Sequence, residues 1–355
     1  MLKKLARTFP FCLAVLLLSS CSASVPDSAS NEIANSQKEE KDNIGHGTMS
    51  ENTDHNIMNS IEPKDSNKAP EPKKAEPKEI VVLSTENAYE DFCEIDTHAC
   101  GGILFDKEGS MLVARPQGLD KVTSGGIVTT FCDLSLLEKG NDYYFKSPFI
   151  WDMKYDSDNN IIAAAQDRIL KIDAGGNVTT LIRDDFKGFL GASGLELDKE
   201  GNIYTVSGNK VYKYSADLER TEYLCSDSYY SFFSMAFTPD NKYLYLTDFN
   251  SKAIIKYAIN EDGSVGEGIE IVREPVKNSG SFGAPLNIIF SDSGNAYVSI
   301  DGMAHILVID ENGDLSMMAM TEPVSNHIIS FGSKEFGEDY IYFTTYGNKV
   351  CRLKF

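Results

Sequence analysis

The chain has 355 residues, 42% hydrophobic and 24% charged, enough for one large domain with a sizeable core plus further segments. Its formal net charge of −20 at pH 7 argues against nucleic-acid binding, because phosphate contacts need clustered Lys and Arg. The acidity itself is a solubility feature before it is a partner signal.

The first predicted element is a targeting segment. Lys3, Lys4 and Arg7 precede the apolar run Phe9–Leu18, which is too short to span a membrane and fits a signal peptide. Leu18-Ser19-Ser20-Cys21 resembles a bacterial lipobox. That resemblance implies removal of residues 1–20 and acylation of Cys21, by palmitate-type chains that hold the protein at a membrane surface without spanning it. Ser22 after the Cys resembles lipoproteins sent to the outer membrane, so the expected location is the bacterial envelope, facing the periplasm or the exterior.

Residues 21–77 read as a disordered tether. They are poor in apolar side chains, rich in Ser, Asn, Lys, Glu and Pro, and end Pro70-Glu71-Pro72-Lys73-Lys74-Ala75-Glu76-Pro77. Such a stretch cannot bury enough apolar surface to offset its ordering entropy. His46 and His55 lie here with no clustered Cys or His to complete a metal site.

Residues 78–355 read as all-β. Glu79–Ser84 is a lone strand-like run, and Cys93 and Cys100 follow close together. In an exported chain that spacing predicts a Cys93–Cys100 disulfide. Cys132, Cys225 and Cys351 fall in strand-like runs and are expected as buried thiols.

A repeat then begins. Its clearest copy is Ser193–Leu224: short strands separated by Asp198-Lys199-Glu200-Gly201, by Ser207-Gly208-Asn209 and by Ala216-Asp217. This is an antiparallel meander. The first turn recurs as Asp106-Lys107-Glu108-Gly109, Asp156-Ser157-Asp158-Asn159, Thr238-Pro239-Asp240-Asn241 and Ser291-Asp292-Ser293-Gly294. Copies lie roughly 40–50 residues apart, the period of a four-stranded propeller blade. Blades are expected over 101–134, 149–182, 193–224, 234–272 and 286–320, with a three-stranded one from His327 to Phe355. Pairing of Glu79–Ser84 with Lys349–Phe355 would supply the missing outer strand and close a six-bladed ring, with Asn87–Ala99 crossing to the first blade.

Met235-Ala236-Phe237-Thr238-Pro239-Asp240-Asn241-Lys242-Tyr243-Leu244-Tyr245-Leu246-Thr247-Asp248 and Ser193–Tyr204 resemble the most recognisable segments of the SMP-30/gluconolactonase-like superfamily, and more distantly of NHL-repeat propellers. The resemblance covers Gly101–Phe355 and implies a six-bladed propeller. It also implies a lactonase holding one divalent cation (Ca, Zn or Mn) in the central funnel by a Glu, an Asn and an Asp. Those positions fall here at or near Cys100, at Phe233 and at Leu286. Asp152, Asn287 and Asn326 are the nearest oxygen donors by a small shift in alignment.

The segments leading into the inner strands are aromatic. They carry Phe149, Trp151, Phe186, Phe189, Tyr229, Tyr230, Phe232, Phe233 and Phe282, interleaved with Asp152, Ser193, Ser231, Asn287, Asn326 and His327. One expectation is an aromatic-lined cup for a small molecule, sugar or peptide, with Trp151, Asp152, Ser193, Phe233, Asn287, Asn326 and His327 as its ligand-binding residues. The other is that these rings plug the space between blades. His327 with Asp152 would make an acid–base pair. The sequence has no phosphate-binding Gly loop, no nucleophile elbow and no CxxC site. The expected function is a lipid-anchored binding or scaffold module without a cofactor; the alternative is a divergent metal-dependent lactonase or related hydrolase.

Overall fold

A computed structural model describes residues 71–74, 76, 78–83, 89–96, 101–137, 148–184, 186, 191–226, 230–277, 283–303, 305–319, 326–345 and 348–355. Cys21 and Cys100 lie outside the described residues. Among them, no helix is long and apolar enough to cross a membrane.

The meanders fold as six sheets, each with four antiparallel strands at its heart. Their inner strands are Ile103–Phe105, Asp152–Tyr155, Leu195–Leu197, Phe232–Phe237, Pro285–Phe290 and Asn326–Phe331. Each inner strand touches the next in that order, and the last touches the first. The six-bladed propeller expected from the repeat is therefore present.

The Asp-x-x-Gly turn works through its own side chain. Asp198 Oδ1 accepts the N–H groups of Glu200 at 3.1 Å and Asn202 at 2.9 Å. Gly201 takes the positive φ of 82° that the turn needs. Asp156, Asp173 and Asp310 make the same pair of bonds in other turns.

At four of the six interfaces an aromatic of one blade meets an aromatic of the next. Tyr204 meets Phe237, Tyr245 meets Phe290 and Tyr297 meets Phe331, each with ring centroids 5.1 Å apart and nearly perpendicular planes. Tyr342 meets Phe105 at 5.2 Å across the closing interface. Edge-to-face pairs of this kind add to the burial energy of the rings. At the other two interfaces Leu112 shares a core cluster with Tyr155, and Ile162 shares one with Leu197.

Ring closure differs from the sequence-based expectation. The strand that completes blade six is Glu90–Glu94, antiparallel to Lys349–Lys354. Ile80–Leu83 instead adds a fifth, parallel strand to blade five, opposite Leu315–Met318. Lys73–Lys74 adds a parallel strand to blade four, so sheet contacts begin inside the stretch read as the tether. The physical reason is that the edge at Lys349–Lys354 offers an aromatic pocket and two basic side chains, which Glu90–Glu94 matches and an all-aliphatic run does not. Phe92 turns inward onto Phe336 and Tyr342, while Glu90 and Asp91 pair outward with Arg352 and Lys349. Lys349–Phe355 leaves no second strand position for Ile80–Leu83.

Cys93, Cys132, Cys225 and Cys351 are reduced thiols; Cys132 and Cys351 are buried as expected, and Cys225 is half-buried. The expected Cys93–Cys100 bridge is not seen, and Cys100 falls outside the described residues. Burial pushes the Cys93 and Cys351 thiols up to about 12 and Cys132 to about 11, which makes them poor nucleophiles.

The closing strand can be told from the added one by truncation. A chain starting at Tyr89 should keep one cooperative thermal transition. A chain starting at Gly101 should lose it, because blade six then exposes an unpaired edge and the ring opens. Equal cooperativity in both would contradict closure by Glu90–Glu94.

Candidate functional site

The inner strands converge on the axis, and their first residues decide what sits there. Phe149 and Trp151 enter with blade two, Phe233 with blade four, Leu286 with blade five and Ile328 with blade six. Together they form one buried cluster, with Phe249 packed against it. Trp151 is 4% exposed and Phe233 6%. Trp151 lies edge-on to Phe149 at 5.1 Å and to Phe233 at 6.1 Å. These aromatics close on one another, the plug arrangement, rather than lining an open cup. Phe186 packs on Tyr212 and Tyr214 between blades two and three, and Tyr230 stacks on Phe232. Phe189, Tyr229 and Phe282 lie outside the described residues.

Three of the polar residues singled out in the sequence, Ser193, Asp152 and Asn287, stitch blades together. Ser193 Oγ donates to the Phe233 carbonyl at 2.8 Å. Asp152 accepts the N–H groups of Met153 and, across the interface, Leu195 at 2.8 and 3.0 Å. Asn287 donates to Ser234 Oγ on blade four at 3.3 Å and accepts the Ile329 N–H of blade six at 3.1 Å. Ser231 donates its N–H to Asp248. Asn326 starts the inner strand of blade six, opposite Thr345.

Two hydroxyls that the sequence reading passed over, Thr247 and Ser299, do the same work, and Thr344 holds the matching place within blade six. Thr247 receives the Ser234 N–H and donates to the Leu286 carbonyl. Ser299 receives the Asn287 N–H and donates to the His327 carbonyl at 2.5 Å. Thr344 receives the Ile328 N–H. The signal was available: each is the hydroxyl two residues after the aromatic of its second strand, in Tyr245-Leu246-Thr247, Tyr297-Val298-Ser299 and Tyr342-Phe343-Thr344.

His327 is buried, and its Nε2 lies 3.8 Å from Asp301 Oδ1. Asp301 was not foreseen; it follows Ser299-Ile300 where the second strand of blade five ends. Asp152, the partner expected for His327, is held at Leu195. Burial pushes the His327 pKa down to about 3, so the ring is neutral at pH 7. Further along the inner strands, Lys154 Nζ meets Glu196 Oε1 at 3.0 Å. Burial raises the pKa of both Asp152 and Glu196. Burial also works against the Lys154 ammonium, but the carboxylates of Glu196 and Asp152 outweigh it and raise its pKa.

The donors available do not fit the divalent cation that the sequence resemblance implies. Phe233 and Leu286 stand at two of its three ligand positions and carry no donor atom. Asp152 and Asn287 direct oxygens at backbone N–H groups. Among the described residues, no three His, Cys, Asp or Glu side chains converge.

No protein-family model matches the chain, and no curated protein sequence matches it. Solved structures do. A luciferin-regenerating enzyme aligns with a TM-score of 0.60 at 14% identity, covering 76% of this chain and 95% of its own. A gluconolactonase from Xanthomonas campestris aligns with a TM-score of 0.59 at 15% identity, covering 79% and 99%. An auxiliary nutrient binding protein from Bacteroides thetaiotaomicron aligns with a TM-score of 0.58 at 12% identity, covering 77% of each chain. The likeness is to six-bladed propellers of the SMP-30/gluconolactonase kind, and at these identities it is a likeness of fold.

Two outcomes follow from the plug. Phe233→Ala and Trp151→Ala should each cost about 3–5 kcal/mol in denaturant unfolding, the range for truncating a buried aromatic. A cost below about 1 kcal/mol would mean that these rings do not hold the axis. The second outcome concerns pH. His327 titrates near 6.5 unfolded and near 3 folded, so below pH 6.5 the unfolded chain takes up a proton that the native chain refuses. Its contribution to stability is therefore whole above that pH and lost as pH falls, at up to ~1.4 kcal/mol per unit. His327→Gln should flatten that dependence between pH 6.5 and 4 relative to the parent chain, read by unfolding at each pH.

Proposed function

We propose that this protein is a lipid-anchored propeller of the bacterial envelope that works as a binding or scaffold module. Cys21 carries the acyl chains, and residues 22–72 space the ring from the membrane. The observation that supports the module reading is the side-chain set on the axis. Where a lactonase of this fold needs oxygen or amide ligands, Phe233 and Leu286 present hydrocarbon inside a buried cluster. A hard cation gains nothing from such groups. The polar residues nearby hold interfaces between blades.

The competing reading is a divergent metal-dependent lactonase or related hydrolase, and it draws on the gluconolactonase among the structural neighbours. His327 and Asp301 are the groups it would call on for proton transfer, but both are under 10% exposed.

The test measures calcium, zinc and manganese in the purified chain and lactone hydrolysis with each metal added. The module reading expects no stoichiometric metal and no turnover; both together would overturn it. In the same preparation, palmitate labelling of the parent chain and its absence in Cys21→Ser are expected. Equal labelling of the two would remove the anchor from the proposal.

A further inference from the structure

A sheet edge presents a row of unpaired backbone groups, and native proteins blunt such edges with charges, prolines or bulges. In this propeller blades one, two, three and six follow that practice. Their outer strands are opposite a register shift, at Leu119/Asp120, Ile169/Leu170, Val211/Tyr212 and Val350/Cys351 respectively. They also turn threonines or charged residues outward. Blade four ends on Lys73–Lys74.

Blade five does not. Its last strand among the described residues is Ile80-Val81-Val82-Leu83, which pairs there on one side and is terminal in its sheet. It runs in unbroken register with Leu315–Met318, which is itself in unbroken register with Ile306–Ile309. Val81 is 58% exposed, Val82 63% and Leu83 42%. Alternate residues of a strand point to opposite faces, so Val81 and Val82 make both faces of this strand apolar. At its start the strand is flanked by acid. Lys78 is tied to the Gly313 carbonyl and to Asp314, and Asp310 accepts the Asp314 N–H, so the acidic turn Asp310–Asp314 abuts the start of the strand, next to Glu79 in the chain.

We infer that the free edge of Ile80–Leu83 is a docking site for an extended peptide segment of a partner, apolar along its length and basic at one end. The segment adds a sixth strand to blade five by main-chain hydrogen bonds. Its side chains cover Val81, Val82 and Leu83, and its Lys or Arg residues meet the acidic turn. A second copy of this chain is the poorer occupant, because each copy carries a net charge of −20 and like charge opposes association. The site deepens the module reading by giving it a partner class. It lies on the outer rim, so its failure and the failure of that reading at the axis are separate results.

The probe is a fluorescein-labelled synthetic peptide, Lys-Lys-Thr-Val-Thr-Val-Thr-Val, titrated into the full mature chain and read by fluorescence anisotropy. Saturable binding is expected, weakening with salt. Val82→Lys should weaken it by about tenfold or more, since a charge on the edge is the usual block to strand addition. Val128→Lys, on the outer strand of blade one, should leave it unchanged. Replacing the probe's middle valine by proline should abolish binding, and replacing its lysines by glutamates should weaken it at low salt. Circular dichroism of Val82→Lys checks folding; the side chain is mostly in water, so the ring should be unaffected. Three results would overturn the proposal. One is no saturable binding to the parent chain. Another is equal binding by Val82→Lys. The third is a concentration-dependent dimer in sedimentation that Val82→Lys abolishes, which would make a second copy the occupant.

Discussion

No blade of this propeller can bury its own faces. Each has four antiparallel strands at its heart, apolar on both sides near the axis, and the cover for those faces is the blade before and the blade after. Everything else in the domain follows from that mutual dependence. The aromatic pairs Tyr204–Phe237, Tyr245–Phe290, Tyr297–Phe331 and Tyr342–Phe105 fix the spacing of the wedges. The hydroxyls of Thr247 and Ser299, and the side chains of Ser193, Asp152 and Asn287, give partners to backbone groups that would otherwise be buried without them. Packing sets the distance between blades and these bonds set their register.

The same requirement shapes the axis. Six inner strands meeting around a line leave a channel, and a channel must be filled or solvated. Here it is closed by Phe149, Trp151, Phe233, Leu286 and Ile328. Two of those side chains, Phe233 and Leu286, stand where the sequence resemblance implies metal ligands. A fold hosts many functions through the residues grafted onto it, and the graft at this axis is hydrocarbon. The polar groups around it are engaged with neighbouring blades, and His327 is kept neutral by burial. The charge that remains accessible is on the rim and in the turns.

Much of this was legible in the sequence, but unevenly. The Asp-x-x-Gly turns and the strands after them announced the blade count, because the turn chemistry is local: an Asp side chain binding its own next N–H groups. The importance of Trp151, Phe233, Ser193, Asp152 and Asn287 was also legible, since each stands at the start of an inner strand. Their task was not. An aromatic at that position reads the same whether it lines a cup or fills a gap. Which it does depends on the side chains of three other blades, distant in sequence. The partner of His327 was missed for the same reason, as Asp301 becomes its neighbour only across an interface.

Local pattern alone determined that this chain makes short antiparallel strands in a repeated unit, that six such units exist, and that their inner-strand starts gather at one place. These are properties of backbone turns and of period-two alternation, which act within a few residues. Tertiary structure decided the rest. It assigned closure to Glu90–Glu94, whose Phe92 packs on Phe336 and Tyr342 and whose Glu90 and Asp91 meet Arg352 and Lys349, and left Ile80–Leu83 on the rim of blade five, because those partners are distant in sequence and come together only once the ring has formed.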